Sequence, residues 1–176
     1  MKHLFLIYSI ILLVTVFFNL SEPKEYVPEF DYIKETEIFC YYEYYTLEKE
    51  RLKNSEFSKK ALIEYLNLRN VRNKEIVFAQ SRLETGNFSS SIFQESNNLF
   101  GMKFPLIRET TATFVNRGHA GYDHWTDSVD DYVLWYQYFT GGSSYDNYYS
   151  FLEEKNYAED PGYTNKLQNL INYDTT

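Results

Sequence analysis

The chain has a single cysteine, Cys40, so it can form neither an internal disulfide nor a multi-cysteine metal site. With no histidine near it in sequence, that thiol reads as a small apolar side chain rather than a nucleophile. Basic residues are also short, 17 Lys and Arg against 25 Asp and Glu, for a formal charge of −8. Phosphate backbones are held by basic faces, which excludes nucleic acid as a partner. The same sign of charge gives no attraction to an anionic wall polymer. Alanine is rare, and none occurs before Ala61. No internal repeat is present. His119 and His124, with Asp123 between them, could suggest a metal. Their odd spacing across a proposed strand would place them on opposite faces, so no metal or other cofactor is expected.

Aromatic residues are abundant: 18 Tyr, 14 Phe and 2 Trp bring the aromatic fraction to 19%. Tyrosine offers a flat apolar face with a polar tip, which suits both a packed core and a sugar ring.

At the amino terminus, Lys2 and His3 precede an uncharged run, Leu4 to Leu20. A secretory apolar region holds about 7–15 residues and a spanning helix about 20, so length alone does not decide between them. No small-x-small pair for cleavage follows the run. That favours an uncleaved signal-anchor over a cleaved signal peptide, with residues 4–20 in the cytoplasmic membrane and the bulk of the protein outside it. If the segment is cleaved, the protein is secreted. Residues 21–54, with Pro23 and Pro28, read as a linker and possible helical stalk.

A compact domain is expected over residues 55–176. Ser58 can cap a helix with Ala61, Leu62, Tyr65 and Leu66 on one stripe. Asn73 can cap the next, with Ile76, Ala79, Gln80 and Leu83 inward and Gly86 as its left-handed terminator. Ser89 to Ser91 can cap a short helix through Glu95. Thr110 to Val115 and Gly121 to Trp125 form strand-like runs about an Asn116-Arg117-Gly118 turn. Thr126 to Ser128 then caps a strong helix carrying Val129, Tyr132, Val133, Tyr136 and Phe139. Asp130 and Asp131 fall in its first turn, where the helix dipole favours acids. Tyr145 to Glu154 reads as helix, and Pro161 fits the first turn of a last one. The fold class is α+β, dominated by helix.

Glu84 carries the chemistry. It lies beside Leu83 and one turn after Gln80, at the margin of the buried stripe and at a helix end facing Asn97-Asn98-Leu99-Phe100-Gly101. Partial desolvation there raises a carboxyl pKa toward values useful for proton donation near neutrality.

Four segments occur in the order of a known pattern. They are Ala79-Gln80-Ser81-Arg82-Leu83-Glu84-Thr85-Gly86; Asn98-Leu99-Phe100-Gly101-Met102-Lys103; Tyr122-Asp123-His124-Trp125 with Ser128-Val129-Asp130-Asp131-Tyr132-Val133; and Tyr157 through Leu167, which opens Tyr-Ala-Glu-Asp-Pro. Over roughly residues 58–173 the chain resembles the bacterial glucosaminidase family of autolysins, flagellar wall hydrolases and phage lysins. The resemblance implies a lysozyme-like fold with a small hairpin lobe and cleavage of peptidoglycan glycan strands after N-acetylglucosamine by a monomer. It places Glu84 on the catalytic acid, Tyr157 on a cleft tyrosine, and Asn98 and Phe100 on the cleft floor. Tyr122 and Trp125 are further candidates for substrate contact. Many members carry a second carboxylate in a longer hairpin. Here only Glu109 and Asp123 could supply one, and neither is a secure match. Either a second carboxylate activates water or the sugar's own 2-acetamido group attacks, and the short hairpin favours the latter. The alternative is a wall-binding module that keeps the fold without turnover.

Overall fold

The computed structural model describes residues 32–142, 145 and 147–174. The run 4–20, read as a membrane anchor, lies outside them. Among the described residues no helix is long and apolar enough to cross a membrane. The chain divides into two units, Met1–Cys40 and Tyr41–Thr176, and the family motifs all fall in the second. Helix α1, Tyr32–Lys53, runs across that division. Its carboxy-terminal half belongs to the compact unit: Leu52 is buried, and Lys49 and Lys53 pair with Asp130 and Asp127. The compact unit therefore begins upstream of Ser55 and takes in residues read from sequence as linker or stalk.

Helix α2, Lys59–Leu68, is capped by the Ser58 hydroxyl, which accepts from the Ala61 amide, and it buries the expected stripe of Ala61, Leu62, Tyr65 and Leu66. Helix α3, Lys74–Glu84, differs from expectation at two points. Asn73 sits in the left-handed region and makes no side-chain cap. Asparagine tolerates that conformation, so it serves to turn the backbone sharply between α2 and α3. The buried face is Val77, Ala79, Gln80 and Ser81, so Ile76 and Leu83 flank the face and are only half-buried. Gly86 takes positive φ just past the helix end, as expected.

Helix α4, Ser91–Ser96, is capped by Ser90. Strands β1, Phe114–Asn116, and β2, His119–Gly121, pair antiparallel with Asn116 opposite His119. They are shorter than the sequence suggested because Arg117 and Gly118, both at positive φ, make a two-residue turn. Gly121 is obligatory, since a Cβ there would stand 2.2 Å from the Phe114 ring.

Helix α5, Trp125–Thr140, starts one residue after its cap, His124, and not at Thr126 to Ser128. His124 Nε2 donates to the Ser55 carbonyl, as does Trp125 Nε1. That leaves His124 Nδ1 to accept from the Thr126 amide. Asp130 and Asp131 are not dipole-compensating surface acids; both are buried. Asp130 takes the Tyr65 hydroxyl and the Arg69 guanidinium, while Asp131 takes Arg108 and the Tyr122 hydroxyl. Helix α6, Tyr148–Glu154, is capped by Asn147. Helix α7 covers Tyr163–Asp174, so Pro161 stands ahead of its first turn.

Among the described residues, aromatic side chains make up much of the core. Trp125 meets Phe57 and Tyr65 edge-on, and Trp135 meets Phe151 and Tyr157 in the same manner. Such pairs add about 0.5–1.5 kcal/mol each beyond the area they bury. The architecture is a helix-dominated α+β fold with one small two-stranded hairpin among the described residues.

Candidate active site

Glu84 is the last residue of α3, and Tyr163 is the first of α7. The two helices pack against each other, and Ile171 near the end of α7 shares a groove with Lys74, Glu75 and Phe78 at the start of α3. They are therefore antiparallel. That sets the carboxy end of one beside the amino end of the other, and Tyr163 Oη donates to Glu84 Oε1 at 2.7 Å.

The second carboxylate oxygen faces the loop after α4. A Cβ on Gly101 would lie 2.8 Å from Glu84 Oε2, and Gly101 has φ of +62°. Glycine is needed twice over here, once for the backbone conformation and once for room beside the acid. Asn98 builds this loop from inside. Its amide nitrogen donates to the carbonyls of Met102 and Ala120, and its carbonyl oxygen accepts from the amides of Phe100 and Met102. All its hydrogen-bonding capacity is spent on the backbone. Tyr157 adds an outer brace, donating to the Phe100 carbonyl at 2.7 Å.

Electrostatically the acid is poised toward its neutral form. Burial raises the Glu84 pKa above its ordinary value, while the Tyr163 hydrogen bond and the charge of His119 pull it down. Burial also raises Tyr157 and Tyr163, each with a further upward push from the Glu84 charge. Both phenols are therefore neutral at physiological pH. Among the described residues, no second carboxylate adds its repulsion to Glu84.

The other residues singled out from sequence fall elsewhere. Asn98, Phe100, Tyr122 and Trp125 are all buried, at 2%, 1%, 1% and 2% exposure. Their side chains are packed into the interior. Phe100 packs on Tyr132, Tyr122 bonds Asp131, and Trp125 reaches Ser55. Asp123 is exposed and accepts from the Thr113 hydroxyl. Glu109 is exposed on the 103–113 loop, where its carbonyl is held by Arg108. Of the groups that act on Glu84, Tyr163 was not singled out, and His119 was considered only as a metal ligand. Tyr163 lies six residues beyond Tyr157 in the same motif, and only the packing of α3 on α7 distinguishes the two. Among the described residues, no three His, Cys, Asp or Glu side chains are grouped to hold a metal ion.

Alanine at position 101 is expected to lower activity about 100-fold, since a displacement of about 1 Å at a catalytic group has that effect. It should also cost about 1–2 kcal/mol through its left-handed backbone. Turnover and urea denaturation of the Gly101→Ala protein measure the two effects separately.

The site thus holds a half-buried carboxyl with raised proton affinity, bonded to a neutral phenol and facing a glycine-bearing loop. The chain matches the Glucosaminidase family, described as mannosyl-glycoprotein endo-beta-N-acetylglucosaminidase, over residues 59–175, and belongs to that family. No curated protein and no solved structure matches it significantly.

Proposed function

We propose that the protein is a peptidoglycan hydrolase of the cell envelope that cleaves the β-1,4 bond after N-acetylglucosamine. The observation that carries this reading is the Glu84 carboxyl, which burial keeps inclined to hold a proton while Tyr163 fixes its orientation. Glu84 gives that proton to the glycosidic oxygen as the bond to the anomeric carbon breaks. The carbonyl oxygen of the sugar's 2-acetamido group attacks the same carbon, and water later opens the resulting ring. The short hairpin, of strands Phe114–Asn116 and His119–Gly121, supports this route over a water activated by Asp123 or Glu109. Tyr157 and Tyr163 present uncharged phenol oxygens to the positive charge that develops on the sugar. Residues 4–20 hold the enzyme in the cytoplasmic membrane, facing outward, or direct its secretion if they are removed.

Digestion of purified sacculi followed by mass spectrometry tests the bond. New N-acetylglucosamine reducing ends are expected. Muramic acid ends would refute the bond assignment, and wall binding without any new ends would identify a non-catalytic tethering module. Proton NMR of the first-formed product should show the β anomer, and the Asp123→Asn and Glu109→Gln proteins should remain active. An α anomer would mean direct attack by water.

A further inference from the structure

We propose that His119 is a positioning residue of this site: its ring holds the Gly101 carbonyl, and its charge state sets how firmly Glu84 keeps its proton. The inference rests on Glu84 being the acid.

His119 opens β2, directly after the Arg117-Gly118 turn. The strand is docked on the catalytic loop, because the next residue, Ala120, donates its amide to the Met102 carbonyl and accepts from Asn98. This docking fixes the ring of His119, whose Nδ1 lies 3.3 Å from the Gly101 carbonyl oxygen. A carbonyl oxygen can only accept, so Nδ1 carries the proton and Nε2 is left for a second proton. Nε2 has no hydrogen-bond partner among the described residues, and the ring is half-buried.

On the other side of the same glycine stands the Glu84 carboxyl, in the space a Cβ would fill. Gly101 thus meets both groups, the imidazole through its carbonyl and the acid through the room its missing side chain leaves. The ionisable groups that face Glu84 are Tyr163 from α7, Tyr157 from the loop before it, and His119 from β2. The two phenols are neutral. His119 is the one basic side chain among them, so it alone can carry a positive charge.

The sign of the effect follows from the charges. An imidazolium stabilises the carboxylate of Glu84 and so releases its proton; a neutral ring does not. Activity requires the protonated acid, so the charge on His119 draws the alkaline limb of the pH profile downward. The hairpin would then tune the pH range of the enzyme as well as shape its cleft.

Two substitutions in the full-length protein separate the roles. His119→Asn retains an N–H donor for the Gly101 carbonyl and removes the charge, whereas His119→Phe removes both. In the Asn protein the alkaline limb of kcat/KM should move up by about 0.5–1 pH unit, the low end of shifts caused by a neighbouring charge. The Phe protein should show the same shift and a kcat about tenfold below that of the Asn protein, since the loop has lost its brace. A direct reading comes from carbon-13 NMR of the Glu84 carboxyl, assigned by its absence in a Glu84→Gln sample. Its titration should move upward in both variants. An unmoved or lowered Glu84 titration overturns the proposal, whatever happens to turnover. An inactive Asn protein with the titration moved upward still supports it. If instead Glu84→Gln retains activity, the reading of Glu84 as the acid fails, while the NMR titration still reports whether His119 acts on it.

Discussion

Replacing Glu84 by glutamine is expected to lower turnover by about 10³-fold, within the range supplied by a positioned general acid. The same change should raise thermal stability at neutral pH. Glutamine keeps the geometry, because its side-chain oxygen can still accept from Tyr163, and it removes only the proton that is transferred. The stability effect follows from linkage. The folded-state pKa of Glu84 is raised from 4.5 by burial, so the folded protein binds this proton more tightly than the unfolded chain does. The stability this contributes is complete below the unfolded value and is lost as pH rises through the folded one. Glutamine has no such loss. The Tm values of the two proteins should therefore be close at pH 4 and separate toward pH 7, with the variant higher. Reducing-end release from sacculi and scanning calorimetry at both pH values measure the two effects. A variant retaining more than a tenth of wild-type turnover would remove Glu84 from the role of acid.

The placing of Glu84 at a helix end facing a glycine-bearing loop was legible in the sequence, because its signal is local. A helical stripe ends at Glu84, a glycine follows in the left-handed region, and a glycine-bearing motif returns to face it. The capping serines at positions 58 and 90 are legible for the same reason, since a cap acts within one turn. What escaped was set by distance along the chain. Gln80 is buried as expected, but so is Ser81, while Leu83 is only half-buried. Gln80 takes the Tyr148 hydroxyl from 68 residues away, a partner no window on α3 contains. Asp130 and Asp131 look like first-turn acids until Tyr65, Arg69, Arg108 and Tyr122 are brought to them. The motif residues are instructive in another way. Asn98, Phe100, Tyr122 and Trp125 are buried, and Asn98 specifies a backbone path. A buried asparagine with all its bonds to the main chain, and a glycine where no Cβ fits, are the means of holding one carboxyl in place.

Arg108→Leu is expected to destabilise the protein by about 3–5 kcal/mol, the cost of leaving one partner of a buried ion pair uncompensated. That is a large share of the roughly 5–15 kcal/mol that holds a domain folded. The pair is well made: Arg108 meets both carboxylate oxygens of Asp131 at 2.7 and 2.9 Å, with side-chain exposures of 7% and 0%. Surface pairs such as Arg117 with Glu95 are half-exposed and screened, and contribute little by comparison. Arg108 also latches the 103–113 loop, whose Leu106 and Ile107 lie almost fully in solvent at 95% and 82% exposure. Those two side chains give the loop no apolar anchor at its middle once the guanidinium is gone, which leaves Ala112 and Thr111 to hold its far end. Its ends lead to Gly101 and to the hairpin that carries His119, so turnover should fall along with stability. Asp131 additionally accepts the Tyr122 hydroxyl, and Asn at 131 preserves that acceptor without the charge. The Arg108→Leu/Asp131→Asn double variant should therefore recover much of the lost stability while the loop remains unlatched. Urea denaturation of the two single variants and the double gives the coupling directly. A loss below about 1 kcal/mol in Arg108→Leu would show that the pair acts no more strongly than a surface bridge. The loop would then have to be held by its backbone alone.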